Sequence, residues 1–318
     1  MVSIIVVTYN HENYIAQCLD SILNQCIDES IEVIVSDDAS TDKTVDIISK
    51  FKKRYASTIK PTYRITNVGA TRNLLEALYQ ATGDYIAFCD GDDYWIDTYK
   101  LKKQIKFLKN NDKYIGCVNK ILVVGDEGNP LSVQNVSWIN DSKSYSLKDY
   151  DGIKLPGHLS SLCFKKTILI SRYFIDELFI HPQVGDKFIF LLTLSQGNIK
   201  FMPDEMSVYR LTRNKISNNF VAKLYGDNVS WVIDDLKIVM AMQKWLLKHK
   251  SIKKLFIKYK SQLFLTLLFQ KLKGYETASI LTFFSYCENK SLVILRMPIA
   301  VVEQAINKIK LILGYSIR

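Results

Sequence analysis

Hydrophobic and polar positions switch between two periods over the first 110 residues. Apolar, β-branched or aromatic runs at residues 2–7, 31–35, 63–66 and 85–89 read as strands. Between them apolar residues recur every three or four positions: Ile15, Leu19, Ile22 and Leu23, then Val45, Ile48, Phe51 and Tyr55 with lysines opposite, then residues 74–81. Such stripes belong to helices lying on a sheet, and Ser40 or Thr41 is placed to cap the second one. The alternation predicts an α/β fold with a mostly parallel sheet and flanking helices.

Farther along come residues 101–108, in a helix starting near Thr98, an apolar run at 114–124, and a Ser/Asn/Asp-rich loop at 125–151. A strand at 162–164 and a helix over 186–195, closed by Gly197, follow. Beyond about residue 220 the pattern is helical and rich in lysine, without strand signals. Val229, Ile233, Leu236 and Met240 share one helix face, and Pro298 opens a last helix carrying Val302, Ala305, Ile309 and Ile312. With a boundary near Asn219, the chain divides into 1–110 and 111–219, two halves of one domain, and an all-helical region 220–318.

Composition narrows the class. With 318 residues, 48% hydrophobic, 23% charged, and only 13 Gly and 6 Pro, the chain can bury a sizeable core; disorder, collagen-like repeats and disulfide miniproteins are excluded. Residues 221–318 hold 16 Lys+Arg against 6 Asp+Glu, which is the whole net charge of +10. Those helices, residues 248–260 and 308–310 above all, are candidates for peripheral contact with an anionic membrane. They equally suit a soluble helical subdomain or dimer interface whose lysines lie over apolar surface. No nucleic-acid motif accompanies the charge, so nucleic acid is not an expected partner. Six cysteines without a C-x-x-C pair point to reduced thiols and a cytoplasmic location. Met1 leads straight into a strand, with no secretory signal expected. The uncharged runs 261–270 and 277–287 fall short of the roughly 18–20 apolar residues that span a bilayer, so no transmembrane helix is expected.

Chemistry concentrates where the strands end, the edge at which open α/β sheets bind ligands. Thr8-Tyr9-Asn10 follows the first strand, Asp37-Asp38-Ala39-Ser40 the second, Asn67 to Asn73 the third and Asp90-Gly91-Asp92-Asp93 the fourth. The last cluster suits a hard divalent cation, manganese or magnesium, since one or two carboxylates suffice when a diphosphate completes the shell. Its plain alternative is a solvated acidic turn capping the next helix.

Taken in order, these sets resemble the nucleotide-binding half of the family 2 glycosyltransferases with the GT-A fold, closely over residues 1–110 and more loosely to about 218. The resemblance implies a nucleoside-diphosphate-sugar donor, a UDP-sugar by preference, lying among Thr8, Tyr9, Asp37, Asp38, Asn67 and Arg72. Tyr9 would lie against the base, Asp38 would accept from a uracil N–H, and Arg72 would cover the nucleotide. Asp92, supported by Asp90, would hold the metal bridging the diphosphate. Asp186, after Gly185 at a helix start, matches the family's catalytic base, although an Asp there also serves as an ordinary cap. Residues 207–214 resemble the family's flexible Tyr-Arg segment, in which Arg210 or Arg213 would neutralise the diphosphate; Thr212 stands where many relatives have His. His158 and Ser161 are candidates to meet the sugar or acceptor, or to be structural.

One base and a metal-held leaving group imply inverting, in-line transfer of a sugar to a hydroxyl of a polysaccharide or glycolipid, with a glycan or lipid-linked glycan as acceptor. No P-loop or dinucleotide fingerprint is present. A nucleotidyltransferase lacks its glycine-rich basic first loop here. A non-catalytic sugar-nucleotide-binding scaffold subunit is the competing reading.

Overall fold

The computed structural model describes residues 1–132, 144–150, 155–166 and 185–211, with scattered positions between 236 and 301. Among the described residues nine strands form one sheet: β1 (Val2–Thr8), β2 (Ile31–Asp37), β3 (Ile59–Tyr63), β4 (Tyr85–Phe88), β5 (Tyr94–Trp95), β6 (Tyr114–Val124), β7 (Ser144–Tyr145), β8 (Cys163–Lys165) and β9 (Asn198–Arg210). Their order is β3-β2-β1-β4-β8-β6-β9-β5, with β7 also on β9. The long ladders β1·β2, β2·β3, β1·β4 and β6·β9 are parallel, and each antiparallel ladder includes one of the short strands β5, β7 and β8.

Side-chain alternation assigns each face of the sheet. Along β1, Val2, Ile4 and Val6 point into one core with Ile15, Cys18, Leu19 and Ile22 of α1 (Ile15–Leu23), Ile48 of α2 (Thr44–Arg54), and Leu101, Ile105 and Leu108 of α4 (Lys100–Lys109). Ile5 points the other way, into a core with Leu74, Leu75 and Leu78 of α3 (Ala70–Gln80) and Phe188 to Leu192 of α5 (Gly185–Gln196). Leu236, Leu263, Phe264, Phe283 and Val293 join this second core.

Because β1 runs to β2 and β3 on one side while β4 lies on the other, the strand order reverses beside β1. This switch point opens a crevice at the carboxyl ends. The pairing continues past the named strands, with Gly91 N–H donating to Val7 O and Asp38 N–H to Thr8 O, at 2.9 Å each. Three of the loops singled out above therefore start side by side. Since β8 is antiparallel to β4, the 3-10 turn Leu159–Ser161 before it falls at the same edge, as does the end of β9.

Several sequence expectations need correction. The third strand lies at 59–63 rather than 63–66, in register with Val33 to Asp37 of β2. Pro61 is tolerated because β3 is an edge strand. Helix α3 begins at Ala70, four residues before the expected start at 74. Neither Ser40 nor Thr41 caps α2, which starts at Thr44; Ser40 turns back to Asp37 and the Thr41 N–H donates to Asn10 Oδ1. Residues 207–210, expected in a flexible segment, form the end of β9, whose ladder shifts register between Met202 and Glu205 and so absorbs Pro203. The loop 125–151 contains β7.

Thr212, Arg213, Val229, Ile233, Val302, Ala305, Ile309, Ile312 and the boundary near Asn219 lie outside the described residues, as does most of the lysine-rich tail. Lys260 is described, and it is buried with its Nζ on Gln243 Oε1 at 2.6 Å. No helix among the described residues is long and apolar enough to cross a membrane. Cys18, Cys89, Cys117, Cys163 and Cys287 are buried free thiols, and Cys26 is exposed.

Candidate active site

The nucleotide side of the crevice is built on Asp38. Only 3% exposed, its carboxylate accepts the backbone N–H groups of Val68 at 2.8 Å and Gly69 at 2.9 Å, while Asn67 Nδ2 donates to its carbonyl at 3.0 Å. Gly69, at φ 88, turns the chain into α3 in a conformation that side chains disfavour. Asp38 thus fixes the loop expected to face the nucleotide, and each carboxylate oxygen retains a second lone pair. Asp37 accepts from the N–H and hydroxyl of Ser40. Its pKa is raised, chiefly by burial and further by the charges of Asp42 and Asp38, against the lowering by Ser40. Tyr9 and Asn10 are half-buried on the turn after β1, where Asn10 adopts φ 56.

Arg72 is exposed on α3 and donates to Glu76 at 3.0 Å. A second arginine, not singled out from the sequence, sits deeper: Arg64 Nε donates to Asn73 Oδ1 at 2.7 Å and lies 3.9 Å from Asp38 Oδ1, and its guanidinium also pairs with Glu76 at 2.7 Å. Placing residue 64 inside a strand concealed it.

The acidic loop turns directly beside Thr8. A Cβ on Gly91 would come within 2.8 Å of Thr8 Cβ and of His11 Nδ1, so glycine permits this approach. The following three carboxylates have distinct surroundings. Asp93 is fully buried, accepting from Ser160 Oγ and, at 3.0 Å, from the Arg210 N–H. Burial and the charges of Asp92 and Asp90 still hold its pKa well above the carboxylate range. Asp92 faces His11, with Oδ2 at 3.9 Å from Nε2. Asp90 receives no hydrogen bond on its carboxylate from any described residue. Its pKa is pushed up to about 8 by desolvation, then by the charges of Asp92 and Asp186.

That last influence places Asp186 in the same electrostatic neighbourhood. Its helix is seated by Gly185, where a Cβ would lie 2.6 Å from Leu74 Cδ2 of α3. The Lys187 N–H donates to Asp186 Oδ1 at 2.7 Å, as in a helix's first turn.

Arg210, expected against a diphosphate, is 4% exposed, with Nε on Asp92 O at 3.0 Å, NH1 on the carbonyls of Gly125 and Asp126, and NH2 on Gln17 Oε1 at 2.9 Å. Tyr14 and Tyr94 lie under the cation at 4.5 and 5.5 Å. Its guanidinium clamps the acidic loop to β9, α1 and the turn after β6.

Ligand atoms of Asp90, Asp93 and His158 come within 4.8 Å of one another, a grouping able to hold a metal ion. Two of the three are already engaged. Asp93 is satisfied as above, while His158 Nδ1 accepts from the Ser160 N–H at 3.3 Å and its ring packs on Tyr209. Burial drives the His158 pKa down to about 3, keeping the ring neutral. Ser160, another residue the sequence reading passed over, joins Asp93, His158 and, through its carbonyl, Trp95 Nε1. Asp90 and Asp92 remain: no described residue donates a hydrogen bond to either carboxyl group, and each has acidic neighbours. A divalent cation fits this donor set.

Comparison with known proteins gives the family and the fold. The description Glycosyl transferase family 2 matches residues 3–179. An uncharacterized Mycobacterium tuberculosis protein is 32% identical over 209 residues, 65% of this chain, and the chain spans 58% of that relative's length. An Escherichia coli UDP-Glc:alpha-D-GlcNAc-diphosphoundecaprenol beta-1,3-glucosyltransferase is 42% identical over 119 residues, 37% of this chain and 45% of that protein. The crystal structure of S. aureus TarS 1-349 in complex with UDP superposes with a TM-score of 0.60 at 18% identity, covering 96% of this chain and 87% of that one, which shows the fold.

Proposed function

Because the chain belongs to glycosyl transferase family 2, we propose that it transfers a sugar from a nucleoside diphosphate, UDP by preference, to a hydroxyl of a polysaccharide or glycolipid precursor, with inversion. The observation that carries this reading is Asp90, at the switch point of the sheet, whose carboxyl receives no hydrogen bond from a described residue and whose pKa is raised first by burial and then by the charges of Asp92 and Asp186. Such a cluster is unfavourable unless a cation and a reacting hydroxyl use it. Asp38 and the 67–69 loop would hold the base and Tyr9 would lie against it, with Thr8, Asp37 and Arg72 around the nucleotide. Asp92 and Asp90 would hold manganese or magnesium, which when bound supplies Lewis-acid stabilisation of charge on the leaving diphosphate. Asp186 would take the proton from the acceptor hydroxyl as its oxygen attacks the anomeric carbon, a contribution worth about 10²–10⁴-fold.

UDP is preferred because the similar TarS fold binds it and the E. coli relative's name specifies UDP-Glc. The latter also motivates a lipid-linked acceptor, for which the basic tail would serve as peripheral membrane contact. The test is UDP release from UDP-sugars with manganese and a diphosphoundecaprenol-linked acceptor. Turnover in wild type and its loss in Asp186→Asn supports the assignment. Donor binding without turnover under every acceptor tried would favour a scaffold.

A further inference from the structure

Arg64 belongs to no role assigned above, and its place in the sheet gives it one. It follows β3 directly, and its backbone N–H donates to Asp37 O at 3.1 Å, which carries the parallel pairing past the strand and sets Arg64 beside Asp38. Its side chain turns to the α3 face, as that of Thr62 does in reaching Gln80. There Nε donates to Asn73 Oδ1 at 2.7 Å and NH1 pairs with Glu76 Oε2 at 2.7 Å, while Asn73 is itself fixed by donating to Ser36 O at 2.8 Å. The approach to Asp38 is 3.9 Å, from Nε to Oδ1, too far for a hydrogen bond. The third nitrogen, NH2, meets no acceptor of any described residue. A guanidinium only 13% exposed, anchored at two nitrogens and open at the third, is an oriented donor for a ligand.

A uracil held at Asp38 has the matching edge. Its N3–H is flanked by the carbonyls O2 and O4, so a carboxylate that accepts from N3 leaves a carbonyl beside it in need of a donor. The order of the strands decides which carbonyl that is. In β3-β2-β1-β4 the acidic loop after β4 lies on one side of Asp38 and Arg64 on the other. A nucleotide whose diphosphate runs toward the acidic loop therefore turns its ribose away from Arg64 and presents the carbonyl farthest from the ribose, O4. We propose that Arg64 NH2 donates to O4 of the uracil ring and is the residue by which this site selects a pyrimidine with a carbonyl at that position. This rests on the proposed function in taking Asp38 as the partner of N3–H and Asp90–Asp92 as the diphosphate end. A site built around such a donor rejects a base without the acceptor, because the charged group is then left desolvated and unpaired.

The experiment titrates the full chain, with Mn²⁺ present, with UDP and with its 4-thio and 2-thio analogues, in which sulfur replaces one carbonyl oxygen and accepts hydrogen bonds poorly. Isothermal titration should show wild type binding UDP about tenfold more tightly than 4-thio-UDP. Arg64→Met should bind the two alike, and so should Arg64→Lys, which keeps the charge beside Glu76 and Asp38 and guards against loss of folding, but has no second nitrogen to send to O4. Any preference between UDP and 2-thio-UDP should be the same in all three proteins. Because each preference is a ratio within one protein, a general weakening of the 67–69 loop cancels from it. Wild type that binds UDP and 4-thio-UDP equally, or folded Arg64 variants that weaken both and keep the preference, would overturn the assignment of Arg64 while leaving the donor site standing. Failure of wild type to bind UDP and both analogues would overturn the donor reading as well.

Discussion

Replacing Asp90 by asparagine separates what the acidic loop does for function from what it costs the fold. Asparagine keeps the size of the side chain and imitates the protonated acid. In the cation-free protein Asp90 meets only burial and the charges of Asp92 and Asp186, which move its pKa from 3.8 to about 8. A folded-state pKa above the unfolded one means that the fold holds a proton the unfolded chain has released, so stability falls as pH rises from about 4 to 8. The full displacement corresponds to about 6 kcal/mol at about 1.4 kcal/mol per pH unit. Asp90 keeps partial solvent contact, and screening reduces the expected gain to about 2–3 kcal/mol. Urea unfolding in the presence of a chelator, from pH 4 to 9, should therefore show the two proteins converging near pH 4 and Asp90→Asn pulling ahead to its full advantage above pH 8. The same variant should lose Mn²⁺-dependent UDP binding. Parallel stability curves, or a variant less stable at every pH, would refute the view of Asp90 as a carboxyl group whose ionisation the cation-free fold opposes.

Other substitutions probe the remaining assignments. Asp186→Asn should leave UDP and Mn²⁺ affinity near wild type while lowering kcat by about 10²–10⁴-fold, measured by UDP release. Asp38→Ala strips the Val68 and Gly69 amides of their acceptor; a loss of about 1–3 kcal/mol in urea unfolding, with weakened UDP binding, is expected. Arg210→Lys cannot reproduce a planar fork donating to Asp92, Gly125, Asp126 and Gln17, so it should cost about 3 kcal/mol or more. Lys100, buried with its Nζ on Gln104 Oε1 and over the Trp95 ring, has its pKa lowered by burial to about 8. Here the unfolded chain binds the extra proton between pH 8 and 10.5, so wild-type stability should rise across that window, by up to about 3 kcal/mol relative to Lys100→Met.

The parts of the fold that were legible in the sequence are those whose side chains meet one large apolar surface. Strands β1, β2 and β4 are buried on both faces, so each is nearly continuous in Val, Ile, Ala and Phe, and β6 coincides with its apolar run at 114–124. The acidic loop was legible for a related reason, since a cluster of charges immediately after a buried strand stands out from its surroundings. Strands β5 and β7, two residues each, exist only through their pairing with β9 and carry no pattern of their own. Strand β3 was misplaced because at an edge the register with β2 decides, and that register includes a proline.

Arg210 shows a different kind of limit, one that concerns roles rather than elements. Motif order read the residue as part of a flexible segment over the donor, and the structure places it at the end of β9 with its Nε on the acidic loop. An arginine satisfies a diphosphate and a set of converging carbonyls with the same fork of donors, so sequence cannot distinguish a ligand-facing guanidinium from a clamping one. What distinguishes them is whether acceptors of the protein already fill the fork. For Arg210 the carbonyls of Asp92, Gly125 and Asp126 do so. The same criterion works in reverse for the carboxylates. Asp93 is matched by Ser160 and Arg210, whereas Asp90, two strands' ends away from Asp38 in the same crevice, is matched by nothing the described protein supplies. A fold that fully pairs one acid of a D-x-D-D turn and leaves another unpaired at its centre spends the first on holding the loop in place and keeps the second for a ligand.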